Sequence, residues 1–298
     1  AVTIDNANYA ASSVTSLTLN FSGDEISSTA ISGLSVTYED AGSNSISDAS
    51  NEMADGDVAE SYIDAALPAI LSTSWQDMDS DGGIDRAVLT FSESIDVTDG
   101  NAGDGFGAIL VNDGSAVTID NANYAASNVS SLTLNFLQDE ITGTAISGLS
   151  ITYDNSGSNA IKDRSSGTPL EIGDNIVSLA YVDAAKPAIL SAVTGDNNAD
   201  GTVDRLTLTF SESVVITDGG TDNDIALTGS SGSPVITAGT YNGTSTTLTY
   251  VIGSSTANNT SLTITPTYAA SGAGSMKDAS NNEICLLYTS PSPRDATL

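Results

Sequence analysis

The feature that most restricts this chain is that it repeats itself. AVTIDNANYAAS stands at 1–12 and again at 116–127, 115 residues further on. DAALPAIL at 64–71 returns as DAAKPAIL at 183–190, and LTFSES at 89–94 returns at 208–213, both 119 residues on. Solenoid units run to about 20–50 residues, so this repeat is too long to be one of them. A unit of this length can enclose its own core, and each is expected to be a domain. The breaks fall in the short linkers Tyr62–Pro68 and Tyr181–Pro187. The chain then holds the C-terminal part of a truncated repeat (1–63), a complete repeat (64–182) and a repeat truncated at its C-terminus (183–284).

Inside each unit the periodicity is that of strands. Leu132, Leu134 and Phe136 alternate with polar residues, as do Leu149, Ile151 and Tyr153, Leu206, Leu208 and Phe210, and Leu262 and Ile264. Alternation at period 2 with Thr and β-branched residues marks half-buried strands, and Gly, Asn, Asp and Ser clusters end them at short intervals. Strands are expected near 68–74, 86–92, 107–111, 116–119, 131–136, 148–153 and 175–181. Roughly seven strands in about 100 residues predict an all-β chain of immunoglobulin-like β-sandwiches in tandem. A jelly roll or an open barrel is the alternative.

Composition removes several functions. With no histidine and one cysteine, the chain has no Ser-His-Asp triad, no imidazole ligand, no internal disulfide and no thiolate zinc site. A net charge of -31, from 38 acidic and 7 basic residues, repels phosphate backbones and anionic membrane surfaces, so no nucleic-acid partner is expected. No apolar run approaches the ~20 residues of a membrane span, and no membrane insertion is expected.

The acidic residues are patterned. Asp77-Met-Asp79-Ser-Asp81-Gly82-Gly83-Ile84-Asp85 has its counterpart in Asp196-Asn-Asn198-Ala-Asp200-Gly201-Thr202-Val203-Asp204. Both fit D-x-[DN]-x-D-G-x-x-D. Calcium takes six to eight oxygens, which alternating carboxylates on a tight loop supply, with Gly at position 6 for the turn and a backbone carbonyl at position 7. The predicted calcium ligands are Asp77, Asp79, Asp81, Gly83 and Asp85, then Asp196, Asn198, Asp200, Thr202 and Asp204. Position 12 is Val88 or Thr207 rather than Glu, and the flanks read as strands, so this is no EF-hand domain. It resembles the EF-like calcium loops set between strands in secreted proteins. The plain alternative is a solvated acidic turn. In a sandwich the first interstrand connection lies at the pole where the chain leaves, so the 77–85 loop is expected near the 182–187 linker. Glu93, Glu212, Asp64 and Asp183 are either additional ligands or exposed strand-end acids.

Pro-Ala-Ile-Leu, the Asp-rich loop, LTFSES and the late Lys-Asp elements (Lys162-Asp163 and Lys277-Asp278) together resemble the bacterial Ig-like domains that recur in S-layer-associated and other large surface proteins. The resemblance covers 1–284. It implies an extracellular or cell-surface protein of a bacterium, structural or adhesive rather than enzymatic, with calcium and cell-surface or matrix glycans or proteins as partners. Cys285–Asp295 reads CLLYTSPSPRD and resembles a translated sequencing adaptor, so 285–298 is expected to be no domain and the rest a fragment from environmental sequencing.

Other acidic places carry less. Asp99–Asp104 and Asp218–Asp224 are Gly-rich loops of unequal spacing, and Asp139-Glu140 and Asp24-Glu25 read as turns rather than as paired glycosidase carboxylates. Trp75 reads as a packed strand-end aromatic rather than a sugar platform. Two further functions stay open beside the structural and adhesive one: a spacer in a secreted multidomain enzyme, and a carbohydrate-binding module, which a 5% aromatic content disfavours.

Overall fold

The structure, a computed structural model, describes residues 63–100, 106–114, 116–137, 141–155, 158–164, 168–217, 225–229, 235–237, 241–253, 264–268 and 274–285, with scattered positions before 63. The described residues contain strands and no helix. In chain order the first eleven strands are β1 (Ile70–Gln76), β2 (Gly83–Ile84), β3 (Arg86–Thr98), β4 (Ile109–Asn112), β5 (Ala116–Val117), β6 (Ala126–Asn135), β7 (Ile141–Thr142), β8 (Ser150–Tyr153), β9 (Ala160–Asp163), β10 (Ile176–Val177) and β11 (Tyr181–Asp183). Then come β12 (Ile189–Gly195), β13 (Arg205–Thr217), β14 (Ile225–Gly229), β15 (Val235–Ile236), β16 (Gly243–Gly253), β17 (Ile264–Tyr268) and β18 (Ser275–Lys277).

Two sheets enclose the first core. One runs β11-β1-β3-β6 with β9 also on β3, and the other runs β10-β8-β4-β5. All these pairings are antiparallel except β1 with β11, which places Trp75 beside Asp183. The second core repeats the plan with β12-β13-β16-β15, β18 on β13, and a β14-β17 pair. The long central strands show why. Along β3, Ala87, Leu89, Phe91, Glu93, Ile95 and Val97 are buried and their neighbours are not; along β13, Leu206, Leu208, Phe210, Glu212, Val214 and Ile216 are. Period 2 delivers one face of each strand to the interior.

The buried apolar residues form two separate clusters, one from Ile70 to Ala185 and one from Ile189 to Ile284. The fold is therefore all-β and sandwich-like, each core lying between antiparallel sheets. Each strand expected in 64–182 has a counterpart. Sequence periodicity misses the short strands β2, β7 and β9. Trp75 is fully buried and packs on Phe136 and Tyr181, with ring centroids 6.2 and 6.1 Å away.

Candidate functional site

The repeats that begin at Asp64 and Asp183 each carry an Asp loop and a deeper group of carboxylates. The first is the Asp loop between β1 and β3. Its sequence forces a tight coil that satisfies its own backbone. Ser80 N–H donates to Asp77 Oδ1 (2.6 Å), Gly82 N–H to Asp77 Oδ2 (3.0 Å), Gly83 N–H to Asp81 Oδ1 (2.9 Å) and Met78 N–H to Asp85 Oδ2 (2.8 Å). The second loop repeats this wiring: Gly201 N–H to Asp196 Oδ2 (2.8 Å), Thr202 N–H to Asp200 Oδ1 (2.8 Å) and Asn197 N–H to Asp204 Oδ1 (2.9 Å). Positions 4 and 6 are left-handed in both, at Ser80 (φ 66°) and Gly82 (φ 96°), and at Ala199 (φ 56°) and Gly201 (φ 83°).

Carboxylate oxygens of Asp77, Asp79 and Asp85 lie within 4.8 Å of one another. Asp81 is outside that group, turned to the Gly83 amide. Burial pushes the Asp77 carboxyl above its ordinary range, against the pull of the Gly82 and Ser80 amides. In the second loop, hydrogen bonds from Thr202 and Asn198 hold Asp200 below its ordinary range. Gly83 pairs with Thr142 in the short β2-β7 ladder, which pins the end of the first loop. In the first loop, hard oxygen donors converging on one point fit calcium; the carboxylates of Asp196, Asp200 and Asp204 in the second loop are not brought together in this way.

The second constellation lies deeper. Asp64, Glu93 and Asp163 are buried with oxygens within 4.8 Å of one another, and Asp183, Glu212 and Asp278 form the same arrangement in the next repeat. Strand alternation explains it. Glu93 follows Leu89 and Phe91 on the inward face of β3, and Glu212 follows Leu208 and Phe210 on β13. Asp163 ends β9 directly opposite Ile95, so it arrives on the same inward face. Asp278 follows Met276 two residues on, just past β18, and both are buried.

Asp183, in contrast, lies on β11 of the first sheet. The second triad is thus assembled from both sides of the junction between the cores. Asn282 crosses it too, donating Nδ2–H to the Asp183 carbonyl (3.1 Å) and to Asp278 Oδ2 (2.6 Å). Burial, then the charges of Asp183 and Asp278, push Glu212 up to about 7 despite the Thr144 hydrogen bond. Burial and then Asp278 push Asp183 up to about 6. Among the described residues no ion pair reaches Asp183, Glu212 or Asp278. Burial and neighbouring like charge favour a proton on Glu212 and Asp183, or a cation beside them.

The sequence therefore located Asp64, Asp183, Glu93 and Glu212, but the exposed reading of these acids does not hold: all four are buried or half-buried, three of them at 9% exposure. Asp163 and Asp278 were not assigned to a site by sequence. Their signal was the Lys-Asp element that closes each repeat, but nothing in that element says which strand it will pair with. The 77–85 loop lies against the repeat that follows the 182–187 linker: the space over Gly82 is closed by Ala188, Leu190 and Ser211, just past it. The acidic pairs Asp24-Glu25 and Asp139-Glu140, and most of the Asp99–Asp104 and Asp218–Asp224 loops, lie outside the described residues, as do 286–298. No helix among the described residues is long and apolar enough to cross a membrane. No protein family, curated protein or solved structure matches this chain.

Proposed function

We propose that the chain is a calcium-stiffened structural and adhesive repeat region of a large bacterial cell-surface or secreted protein, built from tandem immunoglobulin-like domains. The observation that carries this reading is the triad of Asp183, Glu212 and Asp278, in which Asp183 stands on a strand of the first sheet while Glu212 and Asp278 belong to the second core, and whose residues match Asp64, Glu93 and Asp163 one repeat earlier. A divalent cation there ties one domain to the next, and a second at each Asp loop closes the pole from which the chain leaves. Oxygen-only donors favour calcium over softer metals. Calcium is abundant outside cells, and the -31 charge keeps a long exposed chain soluble.

The buried carboxylate triad occurs in both the repeat from 64 and the repeat from 183, which suits a structural ion better than a catalytic acid and base. The adhesive partners are cell-surface or matrix glycans or proteins. As for a spacer or carbohydrate-binding module of a secreted enzyme, burial of Trp75 takes away the one tryptophan that a sugar could stack on. The test is calorimetry and small-angle scattering of the full chain with calcium and then with chelator. Bound calcium is expected to raise the unfolding temperature and to narrow the distribution of shapes. An unchanged melting curve and an unchanged scattering profile would overturn the proposal.

A further inference from the structure

The junction holds a contact that needs no ion. Thr144 is fully buried; its hydroxyl donates to Glu212 Oε1 (2.5 Å) and shares a hydrogen bond with Ser211 Oγ (2.8 Å). Ser211 Oγ in turn accepts the Ala188 N–H (2.9 Å). The same chain of bonds stands one repeat earlier. Thr29 bonds to Glu93 Oε1 and to Ser92 Oγ (2.7 Å), which accepts the Ala69 N–H (2.9 Å). In both cases the threonine belongs to one repeat, and the Ser-Glu of LTFSES belongs to the next.

Two glycines bring the surfaces together beside this latch. A Cβ on Gly82 would lie 2.7 Å from Leu190 Cδ2, 3.2 Å from Ser211 Cβ and 3.3 Å from Ala188 Cβ; one on Gly143 would lie 2.9 Å from the Ser211 carbonyl oxygen. Gly201 holds the same place in the second Asp loop, with the same left-handed backbone, but nothing lies within 4 Å of its Cβ position. The covering of Gly82 therefore comes from the following repeat and is no property of the loop itself.

We propose that the pole around Asp196–Asp204 is a docking surface for another copy of the repeat, which seats its Ala-Ile-Leu and Ser-Glu pole there as residues 188–190 and 211–212 seat over the 77–85 loop. The proposal rests on the tandem-repeat reading but not on calcium. At the first junction the hydroxyl–carboxyl latch makes the contact selective, because Glu212 finds the Thr144 hydroxyl there and a surface without one leaves that carboxyl unbonded.

Hydrogen–deuterium exchange tests it on the full chain and on the same chain extended after Ile284 by a second copy of residues 173–284, which restores the linker spacing. In the full chain, amides of 77–85 are expected to exchange more slowly than those of 196–204. In the extended chain, 196–204 slows to the rate of 77–85. Thr144→Val speeds 77–85 to the rate of 196–204, while Thr144→Ser, which keeps the hydroxyl, does not; amides of Leu89 and Ile151 report whether the core stays folded. An extended chain whose 196–204 amides exchange as before would overturn the proposal, and that arm decides even if Thr144→Val unfolds. The exchange difference is expected to survive chelation. A difference that vanishes on chelation would also overturn the latch while leaving the calcium reading standing.

Discussion

Glu212 and Asp278 sit buried with carboxylate oxygens within 4.8 Å of each other, although Glu212 lies in β13 and Asp278 just past β18, far apart in sequence. Burial, with the charges of Asp183 and Asp278 beside it, raises the Glu212 carboxyl. Its behaviour with pH follows from that.

Without calcium, the junction is expected to be more stable in mild acid than at neutral pH. Glu212 is raised from its ordinary 4.5 to about 7, and Asp183 from 3.8 to about 6. A raised pKa means that the folded state holds the proton more tightly than the unfolded one. The stability this adds is complete below about pH 4 and is lost as pH rises through about 6 and 7. Thermal melts from pH 5 to 8 in chelator should show a falling unfolding temperature, and Glu212→Gln should flatten that slope.

Calcium should reverse this trend. The ion needs the carboxylates deprotonated, so its affinity rises as pH passes about 7. For a site with Kd of about 10⁻⁴–10⁻³ M, roughly 10 mM calcium stabilises by about 1.4–2.7 kcal/mol. Scanning calorimetry at pH 8 with and without calcium measures it. Asp77→Asn, which removes a carboxylate from the converging group, should weaken binding to the first loop more than Asp81→Asn does.

Gly82→Ala should cost more stability than Gly201→Ala. Both substitutions place an L-residue at positive φ, a backbone penalty of about 1–2 kcal/mol. Only Gly82 also meets Leu190, Ser211 and Ala188. The difference between the two variants in denaturant unfolding measures the packing of the junction, and equal losses would mean that the junction yields without cost.

Trp75 should act as a reporter of the first core alone. It is the one tryptophan in the chain, fully buried against Phe136 and Tyr181. Its emission should be blue-shifted and should move only when that core unfolds. Trp75→Ala should destabilise by about 3–5 kcal/mol, and soluble glycans should leave the wild-type emission unchanged.

Much of the fold is legible in the sequence because strands declare themselves locally. Leu206, Leu208 and Phe210 alternate, and the strand is there as β13. The same alternation, carried two residues further, puts Glu212 on the inward face, so its burial was also within reach of sequence. The short strands β2 and β7 were not, because they exist only through pairing with each other: Gly83 with Thr142 and Ile84 with Ile141.

The sequence by itself determined the repeat, the strand periodicity, the absence of imidazole and disulfide chemistry, and the coil of the two Asp loops. These depend on neighbours a few residues apart. Only the tertiary structure decided that Asp163 meets Asp64 and Glu93, that Asp183 leaves one sheet to join the carboxylates of the next core, and that Thr144 reaches Ser211 and Glu212. Those contacts join residues tens of positions apart, on strands whose order in the sheet no local pattern encodes. What joins one repeat to the next is therefore set by packing, while what makes each repeat is written along the chain.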